Sequence, residues 1–302
     1  MSVKSFLMMC FVVCSTAVFG QQSPVDRAVA LGQRGDWAQA LIILEPEVKK
    51  MPWQADSHAW YVLGYVQKEL HKASGSSELN APERLGAVHS LDRALSMGPN
   101  REDDALIRAA LDFLARSFFR DAIDRIEGFT EGSDEEALAL FGRYEAIILN
   151  LDPMANVTGQ KADLYRYLGQ ANGLLLDRQE GRDLALETIL FERSVAHYSV
   201  ALELVPKDYP GRYNLAITLY NQGVRQLKRI NHETSMFELM EIQEACVGLF
   251  EQALPVMEAA HLLKPNRLET LKGLMTIHYA LSQQEESSRY RDAIDRLIEK
   301  RP

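Results

Sequence analysis

Histidines and cysteine thiols are the side chains with which this sequence could carry out acid–base or metal chemistry near neutral pH. Seven histidines are scattered along the 302 residues, and none has the His-Glu-x-x-His spacing of a zinc site. We expect structural roles for them, with His71 and His89 on solvent-facing helix sides and His197 and His278 at helix contacts. The sequence also lacks a nucleophile elbow, a phosphate-binding glycine loop and a dinucleotide fingerprint. It therefore predicts a protein that is not an enzyme and has no metal or cofactor.

Paired acids stand at predicted helix starts, where they complement the helix dipole. Asp103 and Asp104 form one such pair, and residues 133–136 (Ser-Asp-Glu-Glu) predict a capping box at another helix start. Of the three cysteines, only Cys246 lies outside the N-terminal segment, so no internal disulfide or cysteine-rich metal site is expected. Its helical neighbours predict that Cys246 is buried by packing.

The first 20 residues have the pattern of a signal peptide. Lys4 provides a positive start, residues 6–18 form an apolar run, and Gly20 ends a small-residue stretch suited to signal peptidase. The run is shorter than the roughly 20 residues that span a membrane, and no second segment approaches that length. We expect an exported mature chain without a transmembrane segment. Its location would be periplasmic or secreted, with outer-membrane association left open.

The charge of the chain limits its partners. The formal net charge is −9 at pH 7, with 42 acidic and 33 Lys or Arg residues. Nucleic acids and anionic membranes are bound through broad basic faces, which this balance does not favour. We therefore expect no nucleic-acid partner.

Helix ends recur along the chain and divide it into units. These units must position any functional site. Apolar helical stretches run into six prolines, and proline cannot continue a helix: Pro52, Pro99, Pro153, Pro206, Pro265 and Pro302. Small and medium side chains precede four of them at i, i+4 and i+7: Ala40, Leu44 and Glu47; Ala87, Leu91 and Ala94; Ser194, Tyr198 and Ala201; Ala253, Met257 and Ala260. This spacing lines one helix face with side chains that let a second helix approach closely.

Upstream helices carry a matching pattern. It is seen in Trp60-x-x-Leu63-Gly64, in Tyr165-x-x-Leu168-Gly169 and in the segment RYNLAITLYNQG, which begins at Arg212. With the following helices, these motifs resemble the tetratricopeptide repeat (TPR), a pair of antiparallel helices. The resemblance covers residues 21–302 and implies an all-α solenoid of about six degenerate helix pairs. The implied units follow the signal peptide (residues 1–20) at approximately 21–54, 57–101, 102–155, 162–208, 209–267 and 268–302.

The intervals between the prolines exceed the roughly 34 residues of a typical repeat. The excess is predicted mainly between the two helices of a unit. Residues 72–84 are rich in Gly, Ser and Pro and predict a loop. Residues 224–249 keep apolar side chains, which indicates longer helices rather than a flexible linker.

The C-terminal third resembles exported TPR proteins of Bacteroidetes-type bacteria, in the segments that begin at Tyr213, Leu249 and Thr270. Those proteins carry a similar insertion before an Ala-Leu-Pro segment. Pro255, within that segment here, is expected either to kink a helix or to mark its first turn.

The TPR resemblance implies a concave groove lined by the first helices, which would hold a peptide or helix of a partner. The inward-facing positions also include His58 and Thr276. The partner-binding candidates are Tyr61, Tyr65, Lys68, Arg166, Gln170, Tyr213, Ile217, Tyr220, Asn221, Lys272 and Tyr279. Their aromatic, amide and cationic groups suit a peptide with apolar side chains.

The predicted function is an exported scaffold that binds an unknown envelope or secreted protein in this groove. The alternative is a soluble receptor that encloses a small apolar ligand or lipid inside the superhelix. A third interpretation, a helical enzyme built from distant residues, requires ionisable groups clustered in a closed pocket.

Overall fold

The computed structural model describes residues 23–299, so the predicted signal peptide and Pro302 lie outside the described residues. Within that range the chain is entirely helical, with one short 3₁₀ helix at Trp53–Ala55 and no strand. The all-α prediction is therefore confirmed. The α-helices are α1 (Pro24–Gly32), α2 (Trp37–Leu44), α3 (Ser57–Ser74), α4 (Pro82–Ser96), α5 (Arg101–Glu127), α6 (Ser133–Leu151), α7 (Thr158–Gln179), α8 (Leu184–Leu204), α9 (Tyr209–Lys228), α10 (Met236–Leu263), α11 (Leu268–Ala280) and α12 (Gln284–Glu299).

The helices form two compact units, of which the first ends at Leu111 and the second begins at Asp112, inside α5. In the first unit, α1 pairs with α2 and α3 pairs with α4, while α3 also contacts α1 and α2. The hydroxyl of Ser57 donates to the carbonyl of Ala94 at 3.0 Å, and the hydroxyl of Ser90 donates to Gln67 Oε1 at 2.8 Å. The start of α3 thus meets the end of α4, which makes the pair antiparallel.

In the second unit, α7 pairs with α8, α9 with α10 and α11 with α12, and each pair contacts the next. The first helices of successive pairs also touch, α7 with α9 and α9 with α11. Aromatic contacts join α5 to α6, with the Phe119 ring 5.1 Å from that of Tyr144 and 6.1 Å from that of Phe141. Helix pairs that share an apolar core with their neighbours are the arrangement of an α-solenoid.

The small-residue pattern read from the sequence forms the contacts within these pairs. Ala87, Leu91, Ala94, Ser194, Tyr198, Ala201, Ala253, Met257 and Ala260 are all buried. Glycines on the facing helices allow the close approach. A Cβ built on Gly64 would lie 2.6 Å from Leu91 Cγ, and one on Gly169 would lie 2.9 Å from the Tyr198 ring. A glycine therefore fits against a larger side chain at each crossing.

Two predicted helix boundaries differ from the structure. Helix α2 ends at Leu44 and does not run to Pro52, because Pro46 already blocks its continuation. The predicted loop at residues 72–84 is shorter than expected. Helix α3 ends against Gly75, whose φ of +62° is left-handed, and α4 begins with Pro82 in its first turn.

The predicted capping box at residues 133–136 is wrong, because the N-cap of α6 is Gly132 and no side chain caps the helix. Ser133 lies inside the helix, where its hydroxyl oxygen accepts a hydrogen bond from Thr130 N. Asp134 is buried and instead binds α8, with Arg193 Nη1 at 3.2 Å and His197 Nε2 at 3.4 Å. Its carboxylate thus holds two helices of the second unit together.

The structure also tests what the sequence predicted for four single residues. His71 is buried, not solvent-facing, whereas His89 is exposed as expected. Cys246 is buried as predicted, and its Sγ donates to the carbonyl of Gly223 at 3.2 Å. Pro255 lies in the interior of α10, which excludes the first-turn alternative.

Residues 224–249 are mostly helical, as predicted. Helix α9 ends at Lys228 and α10 begins at Met236, so the connection between them is short. From residue 23 to residue 299, no helix combines the length and apolar character needed to cross a membrane.

Candidate binding grooves

Two adjoining cavities in the second unit lie along α5, α7 and α9. The cavity between α5 and α7 has a volume of about 480 Å³ and is lined by Ile123, Ile126, Glu127, Tyr167, Gln170, Ala171 and Leu174. Its wall is mainly apolar, and the side chains of Tyr167 and Leu174 are 41% and 50% exposed. Partly exposed apolar side chains in a cavity wall are suited to contact with apolar groups of a ligand.

The second cavity is smaller, about 170 Å³, and more polar. Its lining residues are Gln170, Gly173, Leu174, Asp177, Tyr198, Asn214, Ile217, Thr218, Asn221 and Arg225. Gln170 and Leu174 line both cavities, so the two adjoin along α7. We call them together the central groove.

Polar side chains determine the chemistry of the α9 side of the central groove. Arg225 is buried and donates from Nη1 to Asp177 Oδ1 at 2.6 Å and from Nε to Gln222 Oε1 at 3.2 Å. Burial raises the pKa of Tyr198, so its hydroxyl stays protonated and can act as a hydrogen-bond donor. The amide of Asn221 is exposed within this wall. The wall therefore offers both donors and acceptors to a ligand.

A separate cavity of about 390 Å³ lies in the first unit, between α1, α2 and α3. It is lined by Ala28, Val29, Gly32, Gln33, Trp37, His58, Tyr61, Val62, Tyr65 and Val66. The rings form a connected set, with centroids of Trp37 and Tyr65 6.0 Å apart and those of Tyr61 and Tyr65 6.2 Å apart. We call this cavity the N-terminal pocket. Its wall is largely apolar and aromatic.

The polar edge of the N-terminal pocket is fixed by a carboxylate. Asp103 Oδ2 lies 2.9 Å from His58 Nδ1 and accepts from Asn100 Nδ2 at 2.8 Å. Burial, together with neighbouring Tyr65 and Asp103, raises the pKa of Tyr61. The Tyr61 hydroxyl is therefore neutral at physiological pH and does not add a charge to the pocket.

Five of the partner-binding candidates line these cavities, as does the inward-facing His58. Tyr61 and Tyr65 lie in the N-terminal pocket, and Gln170, Ile217 and Asn221 lie in the central groove. They belong to two different units and thus to two separate cavities.

Two predicted cations are engaged by neighbours within the protein. Lys68 Nζ lies 2.7 Å from Glu69 Oε1 and 4.1 Å from the centroid of the Tyr65 ring. Arg166 lies 2.6 Å from Asp163 and 3.4 Å from Asp208. Both side chains are largely covered. These contacts of Lys68 lie within α3, whereas Arg166 also links α7 to the N-cap residue of α9.

The remaining predicted residues lie elsewhere on α9 and α11. The Tyr213 ring stacks on Tyr209 with centroids 6.2 Å apart, and the Tyr220 ring lies 5.3 Å from that of Phe250. Both tyrosines pack against the core of the second unit. Lys272 and Tyr279 are exposed on α11.

Sequence reasoning missed several lining residues that continue the predicted stripes. Leu174 and Asp177 follow Gln170 at i+4 and i+7 on α7, and Thr218 and Arg225 extend the groove-lining stripe of Ile217 and Asn221 on α9. Thr218 lies inside the TPR-like segment but between two positions that were read as inward-facing, whereas Asp177 and Arg225 lie beyond the pattern on the longer helices α7 and α9. Helical periodicity carried to the end of each helix would have found them.

A further cavity of about 560 Å³ lies at α10, α11 and α12, where Arg289, Asp292 and Arg296 contribute to its wall. None of the predicted binding residues lines it. In the part of the chain that the structure describes, no group of three or more His, Cys, Asp or Glu side chains is arranged to hold a metal ion.

Comparisons with known proteins found similarity among solved structures only. No protein-family model matches the chain, and no curated protein matches it. A TPR repeats protein from Bacteroides fragilis (BF2334) has 16% identity and a TM-score of 0.47, over 85% of this chain and 96% of that one. MamA has 13% identity and a TM-score of 0.32, over 80% and 93%. The nuclear import adaptor Nro1 has 11% identity and a TM-score of 0.36, over 92% and 86%.

Because these sequence identities are low, we classify the protein from the packing of its own helices. Antiparallel pairs joined by glycine-to-large contacts, with first helices touching along the second unit, are TPR-like. The chain is thus a TPR-like helical-repeat protein.

Proposed function

We propose that the protein is an exported interaction scaffold that holds an extended segment of a protein partner along the central groove. The observation that carries this proposal is that an apolar cavity and a polar cavity adjoin at Gln170 and Leu174. An extended peptide needs apolar contacts for its side chains and hydrogen-bond partners for its backbone. The α5 side of the groove offers the former, and the α9 side offers the latter. Export is inferred from the N-terminal sequence pattern.

The central groove can be tested by placing a charge at its centre. We expect Leu174→Arg to weaken peptide binding about tenfold, because the guanidinium would occupy and polarise the apolar wall. Peptides of about 12 residues would be selected by display against the full chain, and their affinities measured by fluorescence anisotropy. Ile189→Arg is the matched control, since Ile189 is similarly exposed on α8 but lines neither cavity. Equal affinities of the selected peptides for the two variants would contradict the assignment.

The N-terminal pocket supports a second candidate function, the binding of a small apolar ligand. Its volume of about 390 Å³ and its aromatic wall are typical of such sites. The apolar probe N-phenyl-1-naphthylamine should bind there and quench tryptophan emission, because Trp37 is part of the wall.

We expect Val29→Trp, which fills the N-terminal pocket, to weaken binding of this probe about tenfold. Ile42→Trp adds the same ring at an exposed position of α2 outside the lining and should leave binding unchanged. Fluorescence titration of both variants gives the comparison. A probe affinity that is unaffected by Val29→Trp would rule out this pocket as the site.

A further inference from the structure

The amino-terminal half of α10 displays large apolar side chains to solvent. Met236, Phe237, Met240 and Val247 are 73%, 71%, 62% and 42% exposed. Their spacing of one, four and eleven residues from Met236 places them along one side of the helix. We call these four residues the α10 patch. Exposed apolar groups concentrated in this way mark interaction sites rather than ordinary surface.

The outward orientation of the α10 patch is fixed by the structure around it. A capping box begins the helix, with Ser235 Oγ accepting from Glu238 N at 3.2 Å and Glu238 Oε2 accepting from Ser235 N at 2.9 Å. A neighbouring side of α10 is held against α9 by the buried side chains of Cys246 and Phe250. The helix is therefore anchored, and turning the patch inward would expose this packed side.

The charged side chains carried by α10 and by the turn before it have a single sign. Residues 230–263 contain no Lys or Arg, and their six acidic residues are Glu233, Glu238, Glu241, Glu244, Glu251 and Glu258. All six are exposed. Glu241 lies four residues after Phe237, and Glu244 lies four after Met240 and three before Val247, so carboxylates and apolar groups alternate on the exposed side. The patch thus combines an apolar centre with an acidic rim.

We propose that the α10 patch docks an amphipathic helical segment of a partner protein whose apolar face is flanked by Lys or Arg. Apolar side chains of that segment bury Met236, Phe237 and Met240, and its cations face the glutamates. Methionine thioethers adapt to differently shaped partners, which suits a docking surface of this kind. None of the four patch residues lines the central groove or the N-terminal pocket.

The same charges disfavour the other occupants of an exposed apolar surface. Interfacial helices that lie on anionic lipid carry Lys and Arg on their polar face, whereas this one carries only acids. A symmetric contact between two copies of the patch would bring two acidic rims together, which is repulsive. A cationic partner satisfies both the apolar groups and the charges.

The proposal is tested with an amphipathic helical peptide of about 14 leucine and lysine residues and with its counterpart carrying Glu in place of Lys. We expect the full chain to bind the lysine peptide at least about tenfold more tightly in fluorescence anisotropy. The triple variant Met236→Gln, Phe237→Gln, Met240→Gln should lose about tenfold in affinity. The matched triple variant Met51→Gln, Met154→Gln, Leu262→Gln removes comparably exposed apolar groups elsewhere and should keep full affinity.

A second pair of variants separates charge from apolar contact. Glu241→Gln with Glu244→Gln should weaken binding of the lysine peptide, and the loss should shrink as salt rises from about 50 to 500 mM. Glu192→Gln with Glu203→Gln removes two exposed carboxylates of α8 and should have little effect. Circular dichroism of each variant verifies that the helices are retained.

Three results would overturn the proposal. The first is equal affinity of the patch variant and its matched control for the lysine peptide. The second is a dimer in light scattering that the patch triple variant dissociates, which assigns the surface to a second copy. The third is sedimentation with phosphatidylcholine vesicles that the same variant abolishes, which assigns it to a membrane.

Discussion

Replacement of Gly64 by alanine is expected to lower the free energy of unfolding by about 2 kcal/mol, although alanine is the better helix former. The added Cβ would lie 2.6 Å from Leu91 Cγ and 3.1 Å from the backbone nitrogen of Leu91. A backbone atom cannot move without shifting α4, so the α3–α4 pair must separate. Urea unfolding followed by far-ultraviolet circular dichroism measures the loss.

Gly142→Ala provides the matched control for this prediction. Gly142 lies within α6, and a Cβ there meets no atom within 4 Å. Without a clash, the better helix propensity of alanine should raise the free energy of unfolding by about 0.5–1 kcal/mol. The two variants should therefore move in opposite directions. If Gly64→Ala stabilised the protein as Gly142→Ala does, the close packing of α3 on α4 would be refuted.

The close packing at Gly64 belongs to the part of the fold that the sequence predicts. Small residues at i, i+4 and i+7 and glycines on the facing helix follow a local periodicity, and that periodicity is visible without coordinates. The residue at which a helix ends is harder to predict, because more than one nearby proline can end the helix. Pro52 and Pro46 both follow α2, and it is Pro46, the nearer one, that ends the helix.

The candidate site was predictable only where it repeats the TPR pattern. Gln170, Ile217 and Asn221 were predicted to face inward from their positions in the repeat, and they line the central groove. Arg166 was also predicted as a binding residue, and Asp208, the N-cap residue of α9, pairs with its guanidinium. Such a pair forms between residues far apart in the chain, so no spacing rule reveals it. Prediction of a groove is thus possible from periodicity, whereas the availability of each side chain requires the fold.

The α10 patch depends on the length of the helices rather than on their repeat pattern. The apolar content of residues 224–249 correctly indicated helices, but periodicity alone does not say which apolar side chains remain exposed. In the structure, Cys246 and Phe250 turn toward α9, while Met236 and Met240 remain in solvent. The excess length of this helix pair thus adds a surface that an ordinary repeat lacks.

Truncation of Arg229 to alanine is expected to lower the free energy of unfolding by about 2 kcal/mol. Its guanidinium is bonded to the carboxylate of Glu187, whose side chain is only 1% exposed, and the Arg229 side chain is 39% exposed. Removing the cation leaves a buried carboxylate whose remaining donor is Gly181 N at 2.5 Å. Loss of a fully buried partner costs about 3–5 kcal/mol, and the partial exposure of Arg229 places the effect below that range. Chemical unfolding of the variant measures it.

Lys228→Ala is the control that separates burial from charge. Lys228 precedes Arg229 and pairs with Glu180 at 3.2 Å, but both partners of this pair are exposed. Solvent screens the exposed pair, so its loss should cost less than about 0.5 kcal/mol. Each substitution removes one positive charge from the same end of α9. Only Arg229→Ala leaves a buried carboxylate without its cation. Equal losses for the two variants would mean that Glu187 is hydrated after the change, and the buried pair would then not be what holds the α7–α8 connection against α9.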